Sequence, residues 1–272
     1  METITFSSLL LAFSLTLLAG LATGIGSAIA FFARRTNTAF LSVSLGFSAG
    51  VMIYVSFIEI FAKARISIES VLGVKNGIIV TVISFFGGVF IAALIDKLVP
   101  SFENPHEAHK LEELNMSEKP PQSKLMRMGV VSAIAIGVHN FPEGLATFTA
   151  ALSQPALGIS IAIAIAIHNI PEGIAVSVPI FYATGSRRKA FTLSFLSGLA
   201  EPVGALVGYF LLYAFFDKVV FGILFAGVAG IMVFISFDEL LPAAEKYGEH
   251  HNAVYGLVAG MIVMAVSLVM FI

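Results

Sequence analysis

Eight stretches of this chain stay apolar for long enough to cross a lipid bilayer, and that pattern restricts the fold more than any other feature. A hydrocarbon core about 30 Å thick needs ~20 residues of helix. Apolar runs of that order lie at about 6–33, 39–62, 76–99, 125–150, 156–183, 188–215, 219–243 and 253–272. Residues 4–33 carry no charge, a stretch well beyond the ~7–15-residue apolar core of a cleavable signal, so the first run reads as a retained helix. Of the 272 residues, 58% are hydrophobic and only 12% charged, too few charges to clothe a soluble fold. Inside a bilayer the backbone must satisfy its own hydrogen bonds. The expected fold is therefore all-α: a polytopic membrane protein of eight transmembrane helices, one domain over 1–272, with the lipid bilayer as its surroundings.

Turn and charge signals separate the runs, among them Arg34-Arg35-Thr36-Asn37, Lys75-Asn76-Gly77, Ser153-Gln154-Pro155, Gly185-Ser186-Arg187-Arg188-Lys189 and Asp217-Lys218. One long polar segment, 100–124, is rich in Glu, Lys, Pro and Asn and reads as a solvated loop between helices three and four. Eleven of the 15 Lys and Arg residues fall on one set of connections, the set that holds this loop and the Arg187-Arg188-Lys189 cluster. The positive-inside rule assigns that set to the cytoplasm and both termini to the outside.

Two internal similarities stand out. His139-Asn140-Phe141-Pro142-Glu143-Gly144 and His168-Asn169-Ile170-Pro171-Glu172-Gly173 lie 29 residues apart on helices four and five, which the topology makes antiparallel. Val55-Ser56-Phe57-Ile58-Glu59-Ile60 on helix two pairs with Ile235-Ser236-Phe237-Asp238-Glu239-Leu240 on helix seven, again in opposite directions. Both fit a 3+2+3 arrangement with inverted outer repeats, a plan that places a binding site near the midplane.

Charge and cysteine content narrow the chemistry. A net charge of −2 offers nothing to nucleic acid, and with no cysteine any metal must be held by imidazole, carboxylate, amide or thioether. Glu143, Glu172 and Glu201 sit within apolar spans, where each ionised carboxylate costs ~2.5–3.5 kcal/mol on the insertion scale. No Lys or Arg lies near those span centres, and a divalent cation is the simplest compensation. His139 and Glu143, at i and i+4, lie about 40° apart on one helix face with Asn140 beside them. His168, Asn169 and Glu172 repeat the set. Imidazole, amide oxygen and carboxylate suit zinc and its first-row neighbours. Pro142, Pro171 and Pro202 free the carbonyls of Val138, Ile167 and Gly198, which are tolerable only inside protein or along a wet cavity.

Further candidates are Met52 as a thioether donor, Glu59 near the outer end of helix two as a gatherer of incoming cations, and Asp238 and Glu239 near the inner end of helix seven as receivers of departing ones. Gly20/Gly24, Gly204/Gly208 and Gly256/Gly260 fit close helix packing. A metalloenzyme is disfavoured: the zinc-protease order places Glu directly after the first His and di-iron bundles use Glu-x-x-His, whereas Asn follows His here. A metal-gated receptor or channel is not distinguished by any residue.

With HNFPEG, HNIPEG and AEPVGA around Glu201, the chain resembles the ZIP (Zrt-, Irt-like) family of divalent metal transporters, most closely its bacterial zinc permeases, over essentially its whole length. The resemblance implies a binuclear metal centre formed by His139, Asn140, Glu143, His168, Asn169, Glu172 and Glu201, with Met52 as an additional donor. It also implies uptake of zinc, and of iron and other divalent cations, into the cytoplasm by alternating access. The metal is then substrate and no cofactor or enzymatic activity is expected. A bacterial inner-membrane location and a homodimer complete the expectation.

Overall fold

The computed structural model describes residues 5–32, 38–98, 122–214, 217–247 and 250–270, and all regular structure among them is helical. In chain order the elements are α1 (Phe6–Phe32), α2 (Thr38–Val55), a π-helical turn (Ser56–Ile60), α3 (Phe61–Leu98), α4 (Gln122–Ser153), α5 (Pro155–Thr184), α6 (Arg187–Gly198), α7 (Ala200–Ala214), α8 (Lys218–Ile235), a second π-helical turn (Ser236–Leu240), α9 (Leu241–Tyr247) and α10 (His250–Met270). Six stretches among the described residues are long and apolar enough to cross a membrane. Most of the 100–124 loop lies outside the described residues; its expected end is already helical, because α4 begins at Gln122.

The longest of the six, Ser42–Lys97, has 56 residues, far more than the ~20 that a bilayer core accepts. It does not run straight. Gly73 adopts φ 75°, ψ 164°, a region closed to residues with a Cβ, and the chain doubles back there. A side chain at Gly77 would collide with Glu69, so the two arms press together just beyond the reversal. The sequence pointed to Lys75-Asn76-Gly77 as the turn; the backbone reverses four residues before Gly77, at the one glycine whose conformation demands it.

Two groups of helices emerge from the contacts. In one, α2 packs on α10 and α3 on α8; in the other, α1 packs on α5, and α4 on α5 and α7. Small residues let backbones touch in both, as they do where bilayer lipid gives helices no hydrophobic reason to associate. Gly46 and Gly50 meet the backbone of Ala253 and Leu257, while Gly256 and Gly260 meet that of Val43 and Phe47. Gly26 rests on Ile170 and Gly173 on Thr23. An apolar core that includes Met52, Val55, Ile161, Ile165, Phe225 and Met232 joins the groups. Large side chains such as Ile83, Phe90 and Val269 point outward, as a lipid-facing surface requires.

The short Val55–Ile60 and Ile235–Leu240 similarity reappears in the backbone. Each segment forms a π-helical turn in which the serine carbonyl accepts the N–H five residues on, Ser56 from Phe61 and Ser236 from Leu241. In both turns the serine and the last residue are buried. Six residues would be thin support for a repeat, but a π turn is rare, and finding it at both places ties the segments to a shared local structure.

Candidate metal centre

α4 and α5 form an antiparallel pair joined at Gln154, whose extended backbone (φ −152°, ψ 106°) delivers Pro155 to the first position of α5, where a missing N–H is harmless. Gly158 lies directly on Ala151, so the helices are close from their junction onward. Both hexapeptides therefore fall in mid-helix, with Pro142 inside α4 and Pro171 inside α5. The third proline sits beside a real interruption: α6 and α7 are separated at Leu199. Pro202 cannot donate to the Gly198 carbonyl, which instead rests against Gly20 of α1. The absence of side chains at both glycines permits that approach.

Around these prolines the structure gathers Asn140, Glu143, His168, Asn169, Glu172 and Glu201, none more than 5% exposed. His168 Nε2 is 3.2 Å from Glu143 Oε2 on α4 and 3.9 Å from Glu172 Oε1, one turn along on α5. Asn169 Nδ2 donates to Glu201 Oε1 and, at 2.9 Å, to the carbonyl of Ala19. Asn140 Nδ2 donates to the Ser197 carbonyl at 3.3 Å. One carboxylate from each of three helices and an imidazole between two of them thus occupy one buried neighbourhood. The side chain of His139 lies outside the described residues.

The orientation of the two asparagines has a chemical consequence. Their partners, two backbone carbonyls and a carboxylate, accept hydrogen bonds, so the amide nitrogens must face them. The amide oxygens are thereby turned away, and Asn140 Oδ1 and Asn169 Oδ1 are buried without a hydrogen-bond partner. A buried acceptor left so costs about 1–3 kcal/mol. Two of them, in matching positions of the duplicated motif, offer oxygen donors to a cation. The donor set of amide oxygen, imidazole and carboxylate fits a divalent cation of the zinc type. Among the described residues no three His, Asp or Glu side chains already converge as ligands do. His168 lies against Glu143, and Glu201 accepts from Asn169.

Sequence reasoning did not name α1 as part of this neighbourhood. Ala19 supplies a carbonyl and Gly20 the space for Gly198; the only signal was the Gly20/Gly24 spacing, read as packing. The additional candidates have other immediate neighbours. Met52 is fully buried among the apolar side chains that join the two helix groups. Glu59 lies in the first π turn and is paired with Lys63 at 2.8 Å. Lys63 also donates to Gln154 Oε1 at 3.0 Å. Asp238 and Glu239 lie in the second π turn, with Asp96 of α3 close enough to Asp238 to repel it.

Comparison with known proteins bears on this arrangement. A family model described as ZIP Zinc transporter matches residues 97–268, more than half of the chain. The chain belongs to the ZIP family. Relatives of similar length extend the likeness over nearly every residue. The zinc transporter ZupT of Chlorobium chlorochromatii is 65% identical over 267 residues, covering 97% of this chain and 98% of that protein. The zinc transporters ZupT of Nitratidesulfovibrio vulgaris and Clostridium perfringens are 64% and 62% identical, with 97% and 98% of this chain covered. The ZIP-family match takes in α4, α5 and α7, and with them every residue gathered at the centre except those of α1.

Proposed function

We infer that this ZIP-family chain carries divalent metal, zinc foremost and iron and similar ions besides, across a bacterial inner membrane into the cytoplasm, binding it between α4, α5 and α7. The observation that carries this reading is the pair of buried, unpartnered amide oxygens of Asn140 and Asn169 among His168, Glu143, Glu172 and Glu201. Zinc transport by relatives 62–65% identical over almost the full length supports it. The ligands are His139, Asn140, Glu143, His168, Asn169, Glu172 and Glu201, holding two ions; the thioether of Met52 is an additional donor.

For transport, the centre must open to each side in turn. The two groups of helices are the natural moving parts, because each is sealed internally by backbone-to-backbone glycine contacts. We read the described helices as eight crossings: α1, the two arms about Gly73, α4, α5, α6 with α7, α8 with α9, and α10. The paired π turns support inverted outer repeats around α4 and α5, hence the 3+2+3 plan. Charge distribution supports a cytoplasmic 100–124 loop and outward-facing termini, and family resemblance supports a homodimer.

Zinc flux into proteoliposomes tests the function. Glu143→Ala and Glu172→Ala are each expected to abolish uptake while leaving a monodisperse protein in detergent. Zinc binding by the unaltered chain without flux would instead favour a metal sensor.

A further inference from the structure

We propose that the hydroxyl of Thr147 is a further oxygen donor to the transported cation, on the side of the centre that faces the α4–α5 junction. The proposal rests on the metal-transport reading above. At about 100° per residue, Thr147 projects about 40° from Glu143 and about 20° from Asn140, inside the arc that the α4 members of the centre occupy. It lies about 6 Å, roughly one turn, beyond Glu143 along the axis.

What the hydroxyl does not do is as informative. Hydroxyls buried in apolar helices often bond the carbonyl four residues back, as Thr16 does to Ala12 at 3.0 Å, Thr81 to Gly77 at 2.7 Å, Thr149 to Leu145 at 2.6 Å and Ser236 to Met232 at 2.7 Å. Thr23, Ser27, Ser42, Ser56 and Thr147 do not, and of these Thr147 shares the face of α4 that carries Asn140 and Glu143. Thr147 is 0% exposed, yet its Oγ1 has no hydrogen-bond partner. The Glu143 carbonyl stands four residues back, and the hydroxyl makes no hydrogen bond to it. A buried hydroxyl without a partner is costly, and on this face of α4 the transported cation, or a water it carries, would answer it.

The surroundings make the oxygen matter. Between the interhelix junction and His168, α5 presents the buried apolar side chains Ile161, Ala164 and Ile165. On the other side of the centre, α4 offers Ala133 and Ile136, which pack with Val176 and Ile180. A cation moving between the junction and the centre would therefore lose most of its hydration against hydrocarbon. Thr147 supplies a neutral oxygen at that step, one that lowers the desolvation penalty without adding a charge that would trap the ion.

The test is zinc uptake into proteoliposomes with Thr147→Val, which keeps the shape and removes the oxygen, and Thr147→Ser, which keeps the oxygen. Thr147→Val should raise the half-saturating zinc concentration about five-fold, the effect of one lost polar contact, with maximal rate little altered. Thr147→Ser should behave as the unaltered chain. A zinc titration in detergent should show the same loss for valine, which separates a ligand effect from poor folding. An unchanged half-saturation for Thr147→Val, or equal impairment of both variants, overturns the proposal. Inactive Glu143→Ala beside unchanged Thr147→Val leaves the transport reading standing and removes only this donor. Uptake that survives Glu143→Ala removes the site between α4, α5 and α7, and absence of uptake by the unaltered chain removes the transport reading itself.

Discussion

At the scale of single residues, the two asparagines divide labour between their amide atoms. Each nitrogen is anchored to the fold, Asn140 on Ser197 and Asn169 on Ala19 and Glu201, and that anchoring fixes where each oxygen points. Asn169 holds Glu201 and leaves its own oxygen available to the proposed cation. Asn169→Ala should therefore weaken zinc binding about 10–100-fold, the range seen when groups that orient metal ligands are removed. Calorimetric titration of the purified protein measures this, and unchanged affinity would refute the anchoring role. The identity of these residues was legible in the sequence because the hexapeptide occurs twice. Which amide atom faces the centre was not, since that depends on carbonyls of α1 and α6 that no spacing rule brings near α4 or α5.

At the scale of elements, glycine and proline decide where helices stop being regular. The reversal at Gly73 is held by a backbone conformation with φ 75° and ψ 164°. Gly73→Ala should cost about 1–3 kcal/mol and show as a lower unfolding temperature, or as lost monodispersity where the hairpin arms fail to pair. A variant as stable as the parent would mean that the reversal lies elsewhere. Composition alone pointed to the Lys75-Asn76-Gly77 triplet, because polar residues at a span end mimic a turn. The bend instead follows the residue able to adopt it. The π turns show the reverse case. Ser56–Ile60 and Ser236–Leu240 share only a few residues in sequence, yet they share a hydrogen-bond register that marks them as equivalent.

At the scale of the whole molecule, two internally sealed helix groups meet across apolar side chains, with a polar tie at one end. Lys63, held by Glu59, donates to Gln154 at the α4–α5 junction. If transport moves one group past the other, this contact must break in every cycle. The chain has no cysteine, so Lys63→Cys with Gln154→Cys gives a clean crosslinking pair. The contact joins the tips of two long side chains, and a direct disulfide needs Cβ atoms about 4 Å apart. Bridging the double variant with a bifunctional methanethiosulfonate linker should therefore stop zinc uptake, and a reducing agent should restore it. Undiminished flux through the crosslinked protein would exclude relative movement at this junction.

By itself the sequence determined the solvent and the helical class, and it singled out the donor types of the proposed centre. Apolar runs of bilayer length admit little else, and a repeated His-Asn-x-Pro-Glu-Gly leaves few chemical purposes for a buried carboxylate. Only the tertiary structure decided that Ala19 and Gly20 of α1 border the candidate centre, that Glu201 answers to Asn169 and that Lys63 reaches Gln154. Those outcomes come from backbones brought together at glycines far apart in the chain. Local periodicity says which face a residue occupies, but not what another helix places in front of it.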